Sequence, residues 1–491
     1  MSAQTAHSPP RISLNEPRLW REQAWVAGEW TTSRDAIAVD DPATGAIIGH
    51  IPALGAKAVE LAIDSAESAL PAWAALTPDQ RAERLLAWYE GMLSHREDLA
   101  LIMTLEEGKP LHEARGEIDY AASFVRWFAE EGRRAYGETI PSHLPDRHLR
   151  TVRRPIGVTA AITPWNFPSA MVTRKAAAAL AAGCPMIVRP ASETPFSALA
   201  VAWLAEQAGI PGGIFQVVTG DGRTVAGALM NDTRVRALSF TGSTEVGKAL
   251  IRQSADTVKR LTLELGGNAP FIVFDDSDLD FAVEGALAAK FQTSGEDCLA
   301  ANRILVQRPL YEAFLERFAA RTAELQVGHG LESGTEIGPL IDGRAVDKAA
   351  QHVEDAKRRG ARVLAGGSKL GGNFYAPTVV ADVTPDMELF REETFSPVAA
   401  VLPFDDEAEA VRLANDTEYG LVAYCYTENL GRATRLGDAL DYGMVAINCA
   451  KLTGPPIPFG GVKQSGQGRE GSRHGLDEYS ELKYICLGLP E

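Results

Sequence analysis

At 491 residues, with 45% hydrophobic and 23% charged side chains, the chain is too long for one ordinary domain and too apolar for a disordered or fibrous protein. Its formal net charge of −17 repels phosphate backbones and excludes nucleic acid as a main partner. The five cysteines, Cys184, Cys298, Cys425, Cys449 and Cys486, are odd in number and too widely spaced for a disulfide framework or a CxxC zinc site. Reduced thiols in a cytoplasm, with no metal site, are therefore expected.

The first twenty residues contain Pro9, Pro10, Arg11, Glu16 and Arg18 without an apolar run, so no secretory signal is read there. Residues 55–130 place apolar side chains at three- and four-residue intervals, which predicts helices, with Asp79 as an N-cap. From 155 to 275 short apolar runs (IGVTAAIT, PMIVRP, IFQVVTG, VRALSF, APFIVF) alternate with helical patterns, the rhythm of βαβ units around a parallel sheet. The uncharged tract 155–173 within it holds three prolines and Asn166, so no membrane span is expected. A second alternating stretch from about 280 to 450 (RILVQ, ARVLAGG, AAVLPF, LVAYCYT, GMVAIN) predicts a second α/β domain. Residues 133–155 and the tail after 470 are strand-like but too short to build a core, so they are expected to pair with something else.

Four local features carry candidate chemistry. Cys298 lies in FQTSGEDCLAANRI between a predicted helix and strand, with Gly295 allowing an unusual backbone; taken alone, a single cysteine is most often a small buried hydrophobe. Glu264 ends a β-rich run in LTLELGGNAP, where an exposed strand-end charge is an equal alternative. In TPWNFP two prolines hold Trp165, Asn166 and Phe167 in one presentation. In TGSTEVG, Gly242 and Ser243 open a predicted helix, whose N-terminal N–H groups suit a phosphate.

Together with IVRPASETP (187–195), EETFSPV (392–398) and PFGGVKQSGQGREG (458–471), this set in this order resembles the NAD(P)-dependent aldehyde dehydrogenase superfamily over essentially the whole chain. The resemblance implies an α/β fold with a Rossmann-like cofactor domain (1–132 and 156–264), an α/β catalytic domain (265–448) and a small β oligomerisation segment (133–155 and 467–491) that forms a homodimer or homotetramer. It implies Cys298 as nucleophile, Asn166 as oxyanion donor and Glu264 as the base for thioester hydrolysis. Lys175 and Glu393 match cofactor-ribose contacts, Ser243 with Gly242 a pyrophosphate contact, and Trp165 and Phe395 the surroundings of the nicotinamide. Because both Cys298 and Glu264 are present, a catalytically silent homologue is disfavoured.

The departures from the family pattern bear on specificity. Arg189 stands where Lys is usual and Ser192 where NAD-preferring members carry Glu, so NADP is favoured over NAD. GEDC replaces GQxC and puts Glu296 and Asp297 beside a residue that must become an anion. Ser396 replaces a common glycine, and Ala300 replaces the second cysteine of some relatives, so no disulfide switch is expected at the nucleophile.

The chain looks most like the succinate-semialdehyde dehydrogenase branch. That likeness implies a substrate carboxylate held by Arg174 and Thr453, with Phe167 in the substrate tunnel. Gln292 replaces the branch's second arginine, and Lys451 in the Thr453 loop is a candidate compensation. The alternative substrate is a neutral aliphatic or aromatic aldehyde.

Overall fold

The computed structural model describes residues 13–488. The outermost parts of the expected cofactor and oligomerisation segments, 1–12 and 489–491, lie outside the described residues, as does the 9–11 portion of the signal-free reading.

The apolar rhythm before residue 132 becomes four helices, Ala56–Ala74, Pro78–Ser94, Arg96–Glu107 and Leu111–Glu131. Asp79 does not cap the second of them. Thr77 does, its hydroxyl accepting from the Gln80 N–H at 3.2 Å while the Gln80 side chain accepts from the Thr77 N–H at 2.9 Å. Proline at the first helical position then leaves Asp79 in the first turn, at the positive end of the helix dipole and paired with Arg133 at 2.6 Å.

The first sheet has five parallel central strands: Val158–Ile162, Met186–Arg189, Phe215–Val217, Val235–Thr241 and Arg260–Glu264. Numbered along the chain they lie in the order 3-2-1-4-5, so the direction of winding reverses between Val158–Ile162 and Val235–Thr241. Residues leaving those two strands, 163–167 and 242–243, therefore flank the crevice in which such sheets bind ligands. Helices cover both faces, which is why these strands read as continuous apolar runs instead of alternating ones.

Three antiparallel additions to this sheet were not read from the sequence. Ala24–Val26 and Glu29–Thr31 extend one edge, and Gly466–Gln467 extends the other beside Arg260–Glu264. The C-terminal segment expected to begin at 467 thus starts inside the first sheet.

The run APFIVF belongs to the alternating stretch 155–275 but not to its sheet. Ala269–Val273 is a central strand of the second, seven-stranded sheet, between Ala301–Gln307 and Val422–Tyr426. That sheet is parallel except for the edge strand Arg362–Ala365, and it too has a core on each face. The chain passes from one sheet to the other through residues 265–268. A Cβ at Gly267 in this crossing would lie 2.4 Å from the Cys298 carbonyl oxygen, so only glycine allows the two segments to touch.

A separate three-stranded sheet pairs Ser480–Gly488 with Arg147–Pro155 in nine antiparallel steps, with Thr139–Ile140 outside. The strand-like pieces of 133–155 and of the tail therefore pair with each other.

Candidate active site

Cys298 sits between the helix Leu279–Phe291 and the strand Ala301–Gln307. The approach to it bends through three consecutive left-handed residues, Thr293 (φ 49°), Ser294 (φ 54°) and Gly295 (φ 76°), of which two carry side chains and store backbone strain. Gly295 is pressed on the Ser396 carbonyl, where a Cβ would approach to 2.3 Å. Burial is the first cause that pushes the Cys298 thiol well above its usual range; the Asp297 and Glu393 carboxylates add to it and Arg174 opposes it. The two acids of GEDC are not equivalent. Glu296 turns its buried side chain away, accepting from the Ile341 N–H at 3.1 Å, and burial pushes its pKa well above the usual carboxylate value. Asp297 lines the cavity with Cys298 and accepts from the Leu299 N–H at 2.9 Å.

Asn166 is buried, and its Nδ2 donates to the Glu296 carbonyl at 2.9 Å. One of the two amide hydrogens is thereby used to dock Asn166 on the Cys298 loop, and one is left. Glu264 is also buried, not an exposed strand end, and neither of its carboxylate oxygens has a hydrogen-bond partner among the described residues. Burial, reinforced by Glu470, raises its pKa well above the usual value.

Lys175 takes a different position from the ribose contact expected of it. It is fully buried, its ammonium bound to Glu470 and, at 2.7 Å, to the Thr241 hydroxyl. Glu470 also meets Arg174, so two adjacent cations of an otherwise alanine-rich buried helix share one carboxylate. Burial raises the Glu470 pKa, but the two cations outweigh it and hold Glu470 below the usual carboxylate range. An unpaired cation in an apolar helix is costly. That need was the sequence signal for a carboxylate here, and it was missed.

A cavity of about 220 Å³ opens beside Cys298. It is lined by Arg174, Thr453, Lys451, Phe167 and Gln292, so the structure brings all five candidate substrate residues to one place. It adds three the sequence did not reveal: Tyr120 and Glu113 from the helix Leu111–Glu131, and Lys109 from the turn before it. The Tyr120 phenol faces both Arg174 and Thr453. Glu113 accepts from the Thr293 N–H at 3.0 Å, and burial pushes its pKa up to about 7.

On the other side of the nucleophile loop, the Trp165 and Phe395 rings meet edge to face, with centroids 5.6 Å apart. Phe395 has φ 49°, strained for a residue with a side chain. Glu393 accepts from the Gly267 N–H at 2.9 Å, and burial lifts its pKa to about 7. Ser396 is buried and its hydroxyl finds no partner among the described residues. Ser243 caps the helix Thr244–Ser254, accepting from the Val246 N–H at 3.3 Å, and Gly242 packs on the Phe240 ring, where a Cβ would lie at 2.6 Å.

At the end of Met186–Arg189, Arg189 donates to the Ser192 hydroxyl at 2.9 Å and to the Gly220 carbonyl at 3.1 Å, while its Nε has no acceptor among the described residues. The half-buried Arg189 thus ends the strand paired with Val158–Ile162, next to the crevice. Glu193 and Asp221 also lie close enough to act on Arg189.

Comparisons with known proteins agree with this arrangement. The model of the "Aldehyde dehydrogenase family" matches residues 30–485. The chain belongs to the aldehyde dehydrogenase family. Within the family it is 58% identical to the aspartate-semialdehyde dehydrogenase (non-phosphorylating) of Halomonas elongata, over 97% of both chains. It is 53% identical to the succinate-semialdehyde dehydrogenase [NADP(+)] of Escherichia coli K12, over 97% of this chain and 100% of that one. A crystal structure of succinate-semialdehyde dehydrogenase from Burkholderia pseudomallei superposes with a TM-score of 0.96 at 51% identity, covering 97% of this aldehyde dehydrogenase and 100% of that chain. The family uses NAD(P)+, and no described helix is long and apolar enough to cross a membrane.

Proposed function

We propose that this aldehyde dehydrogenase oxidises a short ω-oxo acid of the succinate-semialdehyde kind to the corresponding dicarboxylic acid. The observation that carries this is Arg174 in the wall of the Cys298 cavity, flanked by Thr453 and the Tyr120 phenol. Three donors there suit a carboxylate at the end of a short chain, because charge-assisted hydrogen bonds are about twice as strong as neutral ones.

In this reading the Cys298 thiolate attacks the aldehyde carbonyl and forms a thiohemiacetal. The oxyanion accepts from the remaining Asn166 amide hydrogen and from the Cys298 backbone N–H. NAD(P)+, when bound, supplies the hydride acceptor. Trp165, Gly242, Ser243, Glu393 and Phe395 are the residues that hold it, and Arg189 with Ser192 reads the adenosine ribose in favour of NADP. Glu264 then takes a proton from the water that opens the Cys298 thioester. Burial and the nearby Glu470 raise the Glu264 pKa, which favours the base's taking up a proton and works against its resting as a carboxylate.

A second reading is favoured by the acids of the same cavity. Gln292 stands where the resemblance implied a second cation, and Glu113 and Asp297 line the cavity with it. An ω-oxo acid that carries an ammonium group beside its carboxylate finds a counter-charge there, and the name of the Halomonas elongata relative agrees. Steady-state kcat/KM for succinate semialdehyde, aspartate semialdehyde and butanal, each with NAD and NADP, tests both readings. A preference for butanal overturns the carboxylate pocket; succinate semialdehyde well above aspartate semialdehyde overturns the second reading alone.

The strand Ser480–Gly488 exposes Leu482 and Tyr484 on one face by 61% and 54%, and Leu487 on the other by 55%. We propose that this strand meets a second copy in a homodimer or homotetramer, in a reducing cytoplasm that keeps the five thiols free. A monomer at micromolar concentration in light scattering contradicts the assembly.

A further inference from the structure

Lys109 belongs to none of the roles above. It follows Gly108 (φ 95°) in the turn between Arg96–Glu107 and Leu111–Glu131. That turn is wedged in place: a Cβ at Gly108 would meet the Pro339 ring at 2.6 Å, and the Leu111 N–H donates to the Gly330 carbonyl at 2.9 Å. The Lys109 side chain is 1% exposed. Its ammonium donates to Glu117 at 2.6 Å and to the Asn166 backbone carbonyl at 2.7 Å, and lies 4.3 Å from the centre of the Phe167 ring. The other oxygen of Glu117 accepts from the N–H groups of Ser169 at 3.0 Å and Ala170 at 3.1 Å, at the start of the Arg174 helix. Burial works against the Lys109 charge, but Glu107 and Glu117 outweigh it, so the ammonium persists.

One ion pair therefore grips residues 166–170 at both ends. Asn166, at one of those ends, is held at two points: its carbonyl by Lys109 and its side-chain amide by the Glu296 carbonyl of the Cys298 loop. We infer that Lys109 is a positioning residue that sets the distance between the Asn166 amide and Cys298, acting from behind through the Asn166 carbonyl. This rests on the oxyanion role proposed for Asn166. A buried ion pair is weak evidence of stabilisation, since apolar replacements often fold as well. Its value here lies in fixing a donor at a site where about 1 Å of misplacement costs on the order of a hundredfold in rate.

The test is a double-mutant cycle read on the pre-steady-state burst of NAD(P)H, which reports the steps before thioester hydrolysis. Lys109→Met should lower the burst rate by roughly tenfold to a hundredfold, with cofactor affinity within twofold of wild type. In an Asn166→Ala background the same substitution should lower it by less than threefold, because the donor being positioned is gone. Since Lys109→Met leaves Glu117 buried without its cation, the pair Lys109→Met/Glu117→Gln is run alongside and should behave the same way. A loss just as large in the Asn166→Ala background assigns Lys109 a general structural role and overturns the inference, as does an undiminished burst in both Lys109 variants. An undiminished burst in Asn166→Ala alone removes the oxyanion reading itself, and the inference with it.

Discussion

Nε of Arg174 lies 2.5 Å from Oε2 of Glu470, and both side chains are almost wholly buried. The N–H does not point along the contact, so the pair is ionic more than hydrogen-bonded. Another guanidinium nitrogen donates to the Met171 sulfur at 3.0 Å, and the Phe459 ring lies 4.2 Å away. The cation is thus fixed by its own surroundings before any substrate arrives, with Tyr120 and Thr453 beside it on the cavity side.

Arg174→Ala should lower kcat/KM for a carboxylate-bearing aldehyde by one to two decades, the loss of a charge-assisted contact of about 1.5–3 kcal/mol, while sparing butanal. Gln292→Arg should lower the KM for succinate semialdehyde. Equal losses for charged and neutral aldehydes in Arg174→Ala would show that the guanidinium does not read the substrate.

Cys298→Ala should abolish oxidation yet leave cofactor binding nearly intact, because the thiol bonds the substrate and not the dinucleotide. Glu264→Gln keeps the attack and loses the base, so one equivalent of NAD(P)H should appear rapidly and turnover should then be slow. Stopped-flow absorbance distinguishes these; a linear trace at the wild-type rate in Glu264→Gln would exclude Glu264 as the hydrolytic base.

The pH dependence follows from Asp297. An anion beside a thiol disfavours the thiolate, so the acid raises the Cys298 pKa and its removal must lower it. Iodoacetamide inactivation should rise with pH in the wild type, and in Asp297→Asn the rising limb should move to lower pH. No movement, or movement to higher pH, would mean that Asp297 does not act on the thiol.

Arg189→Ala should weaken NADP more than NAD, and Ser192→Glu should favour NAD. Fluorescence titration with each cofactor provides the measurement. Equal weakening would show that the 2′-phosphate is read elsewhere, with the nearby Glu193 and Asp221 the first residues to examine.

Local patterns were legible because they answer to local physics: apolar runs covered on both faces, helical periodicity before residue 132, and proline-framed TPWNFP. What escaped depended on contacts distant in sequence. APFIVF reads as a strand, but nothing in its five apolar residues says which of two sheets it enters. GEDC gives the adjacency of two acids to Cys298 and not their directions, and successive side chains commonly point opposite ways. Lys175 resembled a cofactor contact by position in a motif, whereas its burial required an anion supplied 295 residues later.

The return of the chain end to the middle of the molecule also sets an order of events. A growing chain emerging from the ribosome has Asn166, Glu264 and Cys298 long before it has Glu470 or the strand Ser480–Gly488 that pairs with Arg147–Pro155. Arg174 and Lys175 thus depend for their shared counter-ion on a residue 295 positions beyond Lys175, so a chain cut before Glu470 would have to bury both cations unpaired or leave their helix undocked.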